Sequence, residues 1–401
     1  MKIWAWVLVS FLALSFWNPQ SSHAEEDDRV QEFAERTYGF TAIDEAVIAS
    51  SELFRFQSGL IFEYPDAVRG VYVTGHSAGG ARFNQLVNLI ETTDLNSMVI
   101  DIKDDHGYLT YIPAEGSELA TMDIGQPYIK DPRALLKTLE EKKIYPIARV
   151  VVFKDSVLAE KRPDLSFTDG GAVWKNGRGE SFVNPFLQEV WDHNVAIAKE
   201  AAEMGFQEIQ FDYVRFPEGF EKRHETLKYG MGDYAESELD PVQRRVEAVT
   251  DFVVYAREQL QPYDVDVSVD IFGYAATLPE APGIGQNFSK ISDNVDVISS
   301  MIYPSHWTSY FGIAKPDTEP YRLVTEYAKV ENEVLSKLED PPVSRPWLQD
   351  FTASWLGTGN YKRYGKAEVE AQIKALKENG IDEFLLWNAG NRYTAGVNYI
   401  P

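Results

Sequence analysis

Glu208-Ile-Gln-Phe-Asp-Tyr-Val-Arg-Phe-Pro217 holds the densest chemistry in this chain of 401 residues. Its first half alternates polar and apolar side chains as a strand does, Asp212 falls where that strand ends, and Pro217 stops the ladder. A carboxylate is therefore presented at a strand tip. Tyr213 and Phe216 offer flat apolar surface beside it and Arg215 a fixed cation, surroundings that suit a sugar ring held against an acid. The plainer reading is a strand whose last Asp caps the following turn.

Positioning such a group requires a frame, and the chain alternates strands with helices. Strand patterns run over Gly70 to Thr74, Met98 to Lys103, Tyr145 to Phe153, Glu208 to Tyr213, Val265 to Phe272, Asp296 to Tyr303, Arg345 to Phe351 and Glu383 to Trp387. Helical patterns run over Ala81 to Glu91, Asp131 to Lys142, Pro185 to Met204, Pro241 to Leu260, Tyr321 to Leu338 and Lys366 to Asn379, with a weak one around Phe288. In the third of these, Asn184 reads as the N-cap, Pro185 as the first helical residue and Gly205 as the stop. Eight such units predict an α/β fold, a (β/α)8 TIM barrel, although an open doubly wound sheet shows the same alternation. Loop lengths favour the barrel: helix-to-strand returns are short, whereas long segments follow strands at 104 to 130, 154 to 183 and 218 to 240. In a barrel those loops build the C-terminal face, where active sites form. The predicted organisation is a leader over 1–24, an N-terminal extension over 25–69 packed on the barrel, and the barrel over 70–401.

Carboxylates now gather at strand ends: Asp101 and Asp104-Asp105-His106 after the second strand, Asp212 after the fourth, Asp270 after the fifth and Asp350 after the seventh. A closed barrel brings those tips to one cavity. Glycoside hydrolysis uses two carboxyl groups, one protonating the leaving oxygen and one attacking or activating water. Asp212 and Asp270, on adjacent strands, are the predicted pair: Asp212 as nucleophile or base, Asp270 as general acid, with Glu218 in the next loop as a rival acid. Asp101, Tyr213, Arg215, Tyr303, Asp350 and Trp387 are the predicted substrate-binding residues, with Tyr274 close by.

Gly70-Val-Tyr-Val-Thr-Gly75, Val99-Ile-Asp-Ile-Lys-Asp-Asp105 and Phe211-Asp-Tyr-Val-Arg-Phe-Pro217 together resemble the glycoside hydrolase family first catalogued as a domain of unknown function, DUF4015. The resemblance spans most of residues 68 to 395 and implies a TIM-barrel glycosidase. A looser resemblance to the alpha-amylase layout implies Asp212 as nucleophile, Asp270 where that layout has a Glu acid, and Asp350 as third carboxylate. Two departures stand out: the acid is Asp, and Gln210 occupies the place of an Arg two residues before the nucleophile.

Other readings compete. Gly75-His-Ser-Ala-Gly79 fits the nucleophile elbow of an α/β-hydrolase esterase with Ser77 as nucleophile, but it follows the first strand, lacks an upstream oxyanion segment, and its nearest His, His306, comes before the last Asp-bearing strand. On the barrel reading those glycines admit a ligand closely. Asp101, Asp104, Asp105 and His106 could hold a cation, yet the six His include no H-x-x-x-H pair, and a water-facing acidic loop is the simpler account. The sequence therefore calls for no metal and no cofactor. A carbohydrate-binding barrel without catalysis is the non-enzymatic alternative.

Met1-Lys2, an apolar run from Ile3 to Trp17 and Ser22-His23-Ala24 compose a secretory leader, with cleavage expected after Ala24 and secretion to the exterior or cell wall. The apolar run is short for a membrane span, so no stable insertion is expected once the leader is gone. There is no cysteine, so a folded exterior protein relies on its core alone. The net charge of −24, with Lys2 the only ionised side chain in the leader, disfavours nucleic acid and anionic membranes. The expected partner is a polysaccharide or oligosaccharide.

Overall fold

A computed structural model describes residues 55–401; the leader and residues 25–54 of the extension lie outside the described residues. Eight parallel strands close a barrel: β1 (Arg69–Val73), β2 (Ser97–Lys103), β3 (Tyr145–Val151), β4 (Glu208–Asp212), β5 (Asp266–Phe272), β6 (Val297–Met301), β7 (Trp347–Gln349) and β8 (Phe384–Trp387). β8 pairs with β1 in register Arg69 to Phe384, which seals the cylinder. The seventh strand comes in two pieces, because Val343–Ser344 pairs with β6 before β7 does.

Both faces of these strands are covered, which is why they read as apolar runs. Val71 and Val73 on β1 pack outward against helices, while Tyr72 points into the barrel with Val99, Ile147, Trp347 and Leu385. Gly70 is the small residue of that interior, since a Cβ there would lie 2.6 Å from Leu385 Cδ2.

The outer helices are α1 (Arg82–Glu91), α2 (Pro132–Glu141), α3 (Gln188–Met204), α4 (Pro241–Leu260), α5 (Phe288–Ser292), α6 (Pro320–Leu335) and α7 (Lys366–Glu378). Asp131 and Asp240 cap α2 and α4, their carboxylates accepting from Ala134 N–H and from Val242 and Gln243 N–H, each with Pro at the first helical position. Gly205, with φ 116°, ends α3 as its sequence predicts. The start of α3 differs from the prediction. Asn184 Oδ1 accepts from Phe186 N–H and its amide donates to Gly230 O, making a local turn that delays the helix to Gln188.

The two barrel ends are unlike. At the N-terminal end, Arg345 is buried between Glu208 (2.7 Å) and Glu383 (2.7 Å), and Tyr64 closes this network, its hydroxyl donating to Glu383 and accepting from Arg345 Nη2. Ile61 N–H bonds Glu140 Oε1 and Phe56 N–H bonds Pro262 O, which lays the segment before β1 along this end. At the C-terminal end the long loops gather after β2, β3 and β4, around the tips that carry the carboxylates.

Candidate active site

Asp212 is the last residue of β4, and Tyr213 after it adopts φ 54°, unusual for a residue with a Cβ. That turn aims the Tyr213 N–H at Asp212 Oδ1 (2.6 Å) and brings the phenol over the cleft. Lys154 Nζ lies 4.1 Å from the centre of the Tyr213 ring and the Arg215 guanidinium 4.8 Å from it. Strain of this kind persists where the surroundings fix it, and here it terminates the strand at its acid.

Arg149 is the organising cation. It stands on β3, in register with Asp101 of β2 and Gln210 of β4. Its Nε and Nη2 donate to Asp212 Oδ2 at 3.0 and 2.6 Å, and its Nη1 donates to Asp101 Oδ1 at 2.7 Å. Below, Tyr72 and Trp387 are stacked 4.0 Å apart, and the guanidinium sits 5.4 and 5.3 Å from their ring centres. Tyr72 donates its hydroxyl to Asp101 Oδ2 at 2.5 Å.

Arg149 lies among four carboxyl groups, Asp101, Asp105, Asp212 and Asp270, and Lys154 stands beside it. Lys154 pairs with Asp105 at 2.7 Å. Burial opposes ionisation of Asp105, but Arg149 and Lys154 outweigh it and bring that group down to about 2. Burial pushes Asp101 up to about 7 against the pull of Arg149. Asp270 is raised well above the carboxylate range, first by complete burial and then by the Asp212 charge on the adjacent strand; its one indole partner, Trp347 Nε1–H, donates to Oδ1 at 2.7 Å. Burial and the neighbouring charge keep the proton on Asp270 while Asp212 faces a guanidinium.

These groups open into a cavity of about 370 Å3, whose wall includes Asp212, Tyr213, Arg215, Asp270, Tyr303 and Trp387. Tyr303 remains a neutral phenol, since burial and the nearby acids raise it well above the usual tyrosine range. Arg178, Glu180 and Glu218 enter from the β3 and β4 loops, with Arg215 bound to Glu218 at 3.1 Å and stacked 4.7 Å from Phe272.

The sequence matches, over residues 70–393, a family model described as "Putative glycosyl hydrolase domain", DUF4015. The chain belongs to that family. Among solved structures, a hypothetical protein from Ruminiclostridium thermocellum ATCC 27405 is 32% identical over 50% of this chain and 96% of its own, with TM-score 0.43. The PgaB (BpsB) glycoside hydrolase domain from Bordetella bronchiseptica is 15% identical, covers 82% of this chain and 95% of its own, and superposes with TM-score 0.53. A beta-galactosidase from the psychrophilic Marinomonas ef1 is 13% identical over 80% of this chain and 54% of its own, with TM-score 0.50. At those last two identities the likeness is one of fold. No curated protein matches the sequence.

Within this DUF4015 glycosidase, two of the predicted binding residues lie off the cavity wall. Asp101 is buried beneath it, committed to Arg149 and Tyr72. Asp350, just past β7, continues the outward phase of Leu348 and is held by Thr394, whose N–H and hydroxyl both donate to it, which ties down the C-terminal segment. Phe216 also turns away, into a cluster with Phe167, Phe186 and Phe220. Arg149 and Trp347 were not predicted as site residues, and Asp105 was named only among the strand-tip acids and the candidate cation ligands. For Arg149 a signal existed, as the one charge in the otherwise apolar stretch Tyr145-Pro-Ile-Ala-Arg-Val-Val-Val-Phe153, where a buried cation requires acids opposite. Trp347 carried none, because a strand tryptophan reads as core.

Ser77 lies in a single helical turn, Gly75–Ala78, its N–H donating to Thr74 Oγ1, and the flanking glycines fit against protein and not ligand. A Cβ at Gly79 would come 1.7 Å from Tyr128 O, and one at Gly75 2.5 Å from Thr110 Cγ2. His306, the candidate triad base, bonds Ser305 Oγ at 3.0 Å. Asp104 spends Oδ1 on the N–H groups of His106, Gly107 and Tyr108, a turn and not a ligand set. Among the described residues no group of three or more His, Cys, Asp or Glu is arranged to hold a metal.

Proposed function

We propose that this protein is a secreted glycosidase that hydrolyses a polysaccharide or oligosaccharide outside the cell with two carboxyl groups, Asp212 and Asp270. The observation that carries the reading is the contrast between them: on adjacent strand tips in one cavity, Asp212 meets the Arg149 fork while Asp270 is buried and holds its proton. That contrast is what assigns acid and base roles in a carboxylate pair. Trp347 occupies Asp270 Oδ1, which leaves Oδ2 to carry the proton toward the leaving glycosidic oxygen. As the bond breaks, positive charge grows on the sugar, and Asp212 stabilises it by attacking the anomeric carbon or by activating water. Glu218, the rival acid, is exposed and paired with Arg215 and Arg178, and it lacks the burial that keeps Asp270 protonated.

Asp212→Asn keeps the side-chain size and removes the charge. Turnover should drop by at least the ~10²–10⁴-fold typical of a lost acid or base, more if Asp212 is the nucleophile, with sugar binding retained. Asp270→Asn should lose natural-glycan turnover yet keep disproportionate activity on aryl glycosides, whose leaving groups need little protonation. Asp212→Asn turning over glycan near the wild-type rate would make the β4 carboxylate structural and end the proposal.

Export rests on the leader composed by Met1-Lys2, the apolar run and Ser22-His23-Ala24. N-terminal sequencing of exported protein should begin at Glu25; intact Met1 on exported material would refute cleavage.

A further inference from the structure

Aromatic side chains continue past the cavity wall on two sides. From His306 and Tyr303 on the wall, Phe351 follows at ring distances of 6.4 and 6.0 Å, and Trp355 stacks on Phe351 at 5.9 Å with 20° between planes. On the other side, Phe272 on the wall carries Tyr274, stacked at 5.5 Å and 23°. Both outer rings are open to water: Trp355 is 65% exposed, the one exposed tryptophan among the described residues, and Tyr274 is 37% exposed.

Folding does not account for this placement. Trp174, Trp191 and Trp347 are almost completely buried, as large rings are when packing sets their position, whereas Trp355 stands in a short turn, Ser354–Leu356, of the loop between β7 and α7. The turn holds the indole parallel to Phe351, so the exposed surface is a fixed flat face. Because β5, β6 and β7 are neighbours in the barrel, Tyr274 and Trp355 flank the β6 loop that delivers His306 to the cavity. The cavity between them also carries polar groups, the Arg215–Glu218 pair beside Phe272 and the Arg178–Glu180 pair. A cleft with flat apolar faces at both ends and hydrogen-bonding groups between them matches a run of pyranoses, each with C–H faces and a hydroxyl edge.

We propose that Trp355 and Tyr274 are outlying stacking subsites for sugar units of one chain, so that the substrate is a polysaccharide that crosses the cavity and is cut within its length. This rests on the glycosidase reading but is tested apart from it. Binding is measured by calorimetry on the Asp212→Asn protein, with and without Trp355→Ala or Tyr274→Ala, against dimer-to-hexamer ladders of β-1,4-glucose, α-1,4-glucose and β-1,4-N-acetylglucosamine. Affinity should rise with length on one ladder, and each aromatic truncation should abolish its part of that rise, weakening the longest oligomer by about tenfold while the dimer changes far less. Both residues are exposed, so far-ultraviolet circular dichroism and thermal melts of the variants should match the parent. Absence of any length dependence, or the same dependence after truncation, overturns the subsites. Length-dependent binding by a wild-type protein that cleaves nothing would instead leave the subsites standing and defeat the glycosidase reading.

Discussion

On the proposed mechanism, Arg149 sets the terms on which the two acids act. A guanidinium presents a rigid fork, and here three of its N–H groups are divided between Asp101 and Asp212 while the stacked pair Tyr72 and Trp387 packs beside it. Lysine keeps the charge but cannot bridge both acids in that plane. Arg149→Met would strip the counter-charge from buried carboxylates, an omission that costs about 3–5 kcal/mol, so folding itself is at stake. Arg149→Lys is the informative change. In the wild type, kcat/KM should fall at high pH as Asp270 loses its proton, because burial and the Asp212 charge raise that group and a general acid acts only while protonated. In Arg149→Lys that alkaline limb should move to higher pH, since Arg149 is the charge that draws Asp270 down and a shorter cation there draws it down less. An unchanged pH profile in a folded Arg149→Lys protein would show that Arg149 only packs the barrel.

At the scale of elements, strands were legible because each is a run of side chains buried on both faces, and the long segments after strands favoured the closed cylinder over an open sheet. What stayed illegible is direction and contact. Asp350 and Asp270 look alike in sequence, each near the end of an apolar strand, yet one faces Thr394 on the outside and the other faces Trp347 within. Alternation along β7 would have separated them had the inward phase of Trp347 been known. The start of α3 was misplaced because Asn184 and Pro185 satisfy the sequence pattern of a helix start, while Asn184 actually bonds Gly230, a partner far away in the chain. Arg178 and Glu180 reach the cavity from a glycine-rich loop with a two-residue hairpin, Thr168–Asp169 with Ala172–Val173, where no periodicity exists to be read. The opposite barrel end shows the same limit: Arg345, Glu208, Glu383 and Tyr64 come from four places in the sequence, and only the closed cylinder joins them.

For the molecule as a whole, buried acids make stability depend on pH in an unusual direction. Burial raises Asp266 to about 6, with the Glu208 and Asp296 charges adding to it, and burial raises Asp101 to about 7. In an unfolded chain both would titrate near ~3.9. Because the folded state holds these protons more tightly, their contribution is complete below the unfolded value and is lost as pH rises through about 6 to 7. Asp105 runs the other way: lowered to about 2, it stabilises the fold above the unfolded value and is lost only as pH falls toward about 2. The net charge of −24 works with the raised acids, since self-repulsion grows as further carboxyl groups ionise. Thermal melts of the full chain should therefore give the highest Tm between about pH 4 and 6 and a steady decline from about pH 6 to 8. The measurement is a series of circular-dichroism melts at constant ionic strength. Asp266→Asn should flatten the lower part of that decline, because an amide in the same place has no proton to lose. A Tm that stays level or climbs from about pH 5 to 8 would mean that Arg149 and Arg345 hold these acids ionised in the fold, and that burial does not govern their charge.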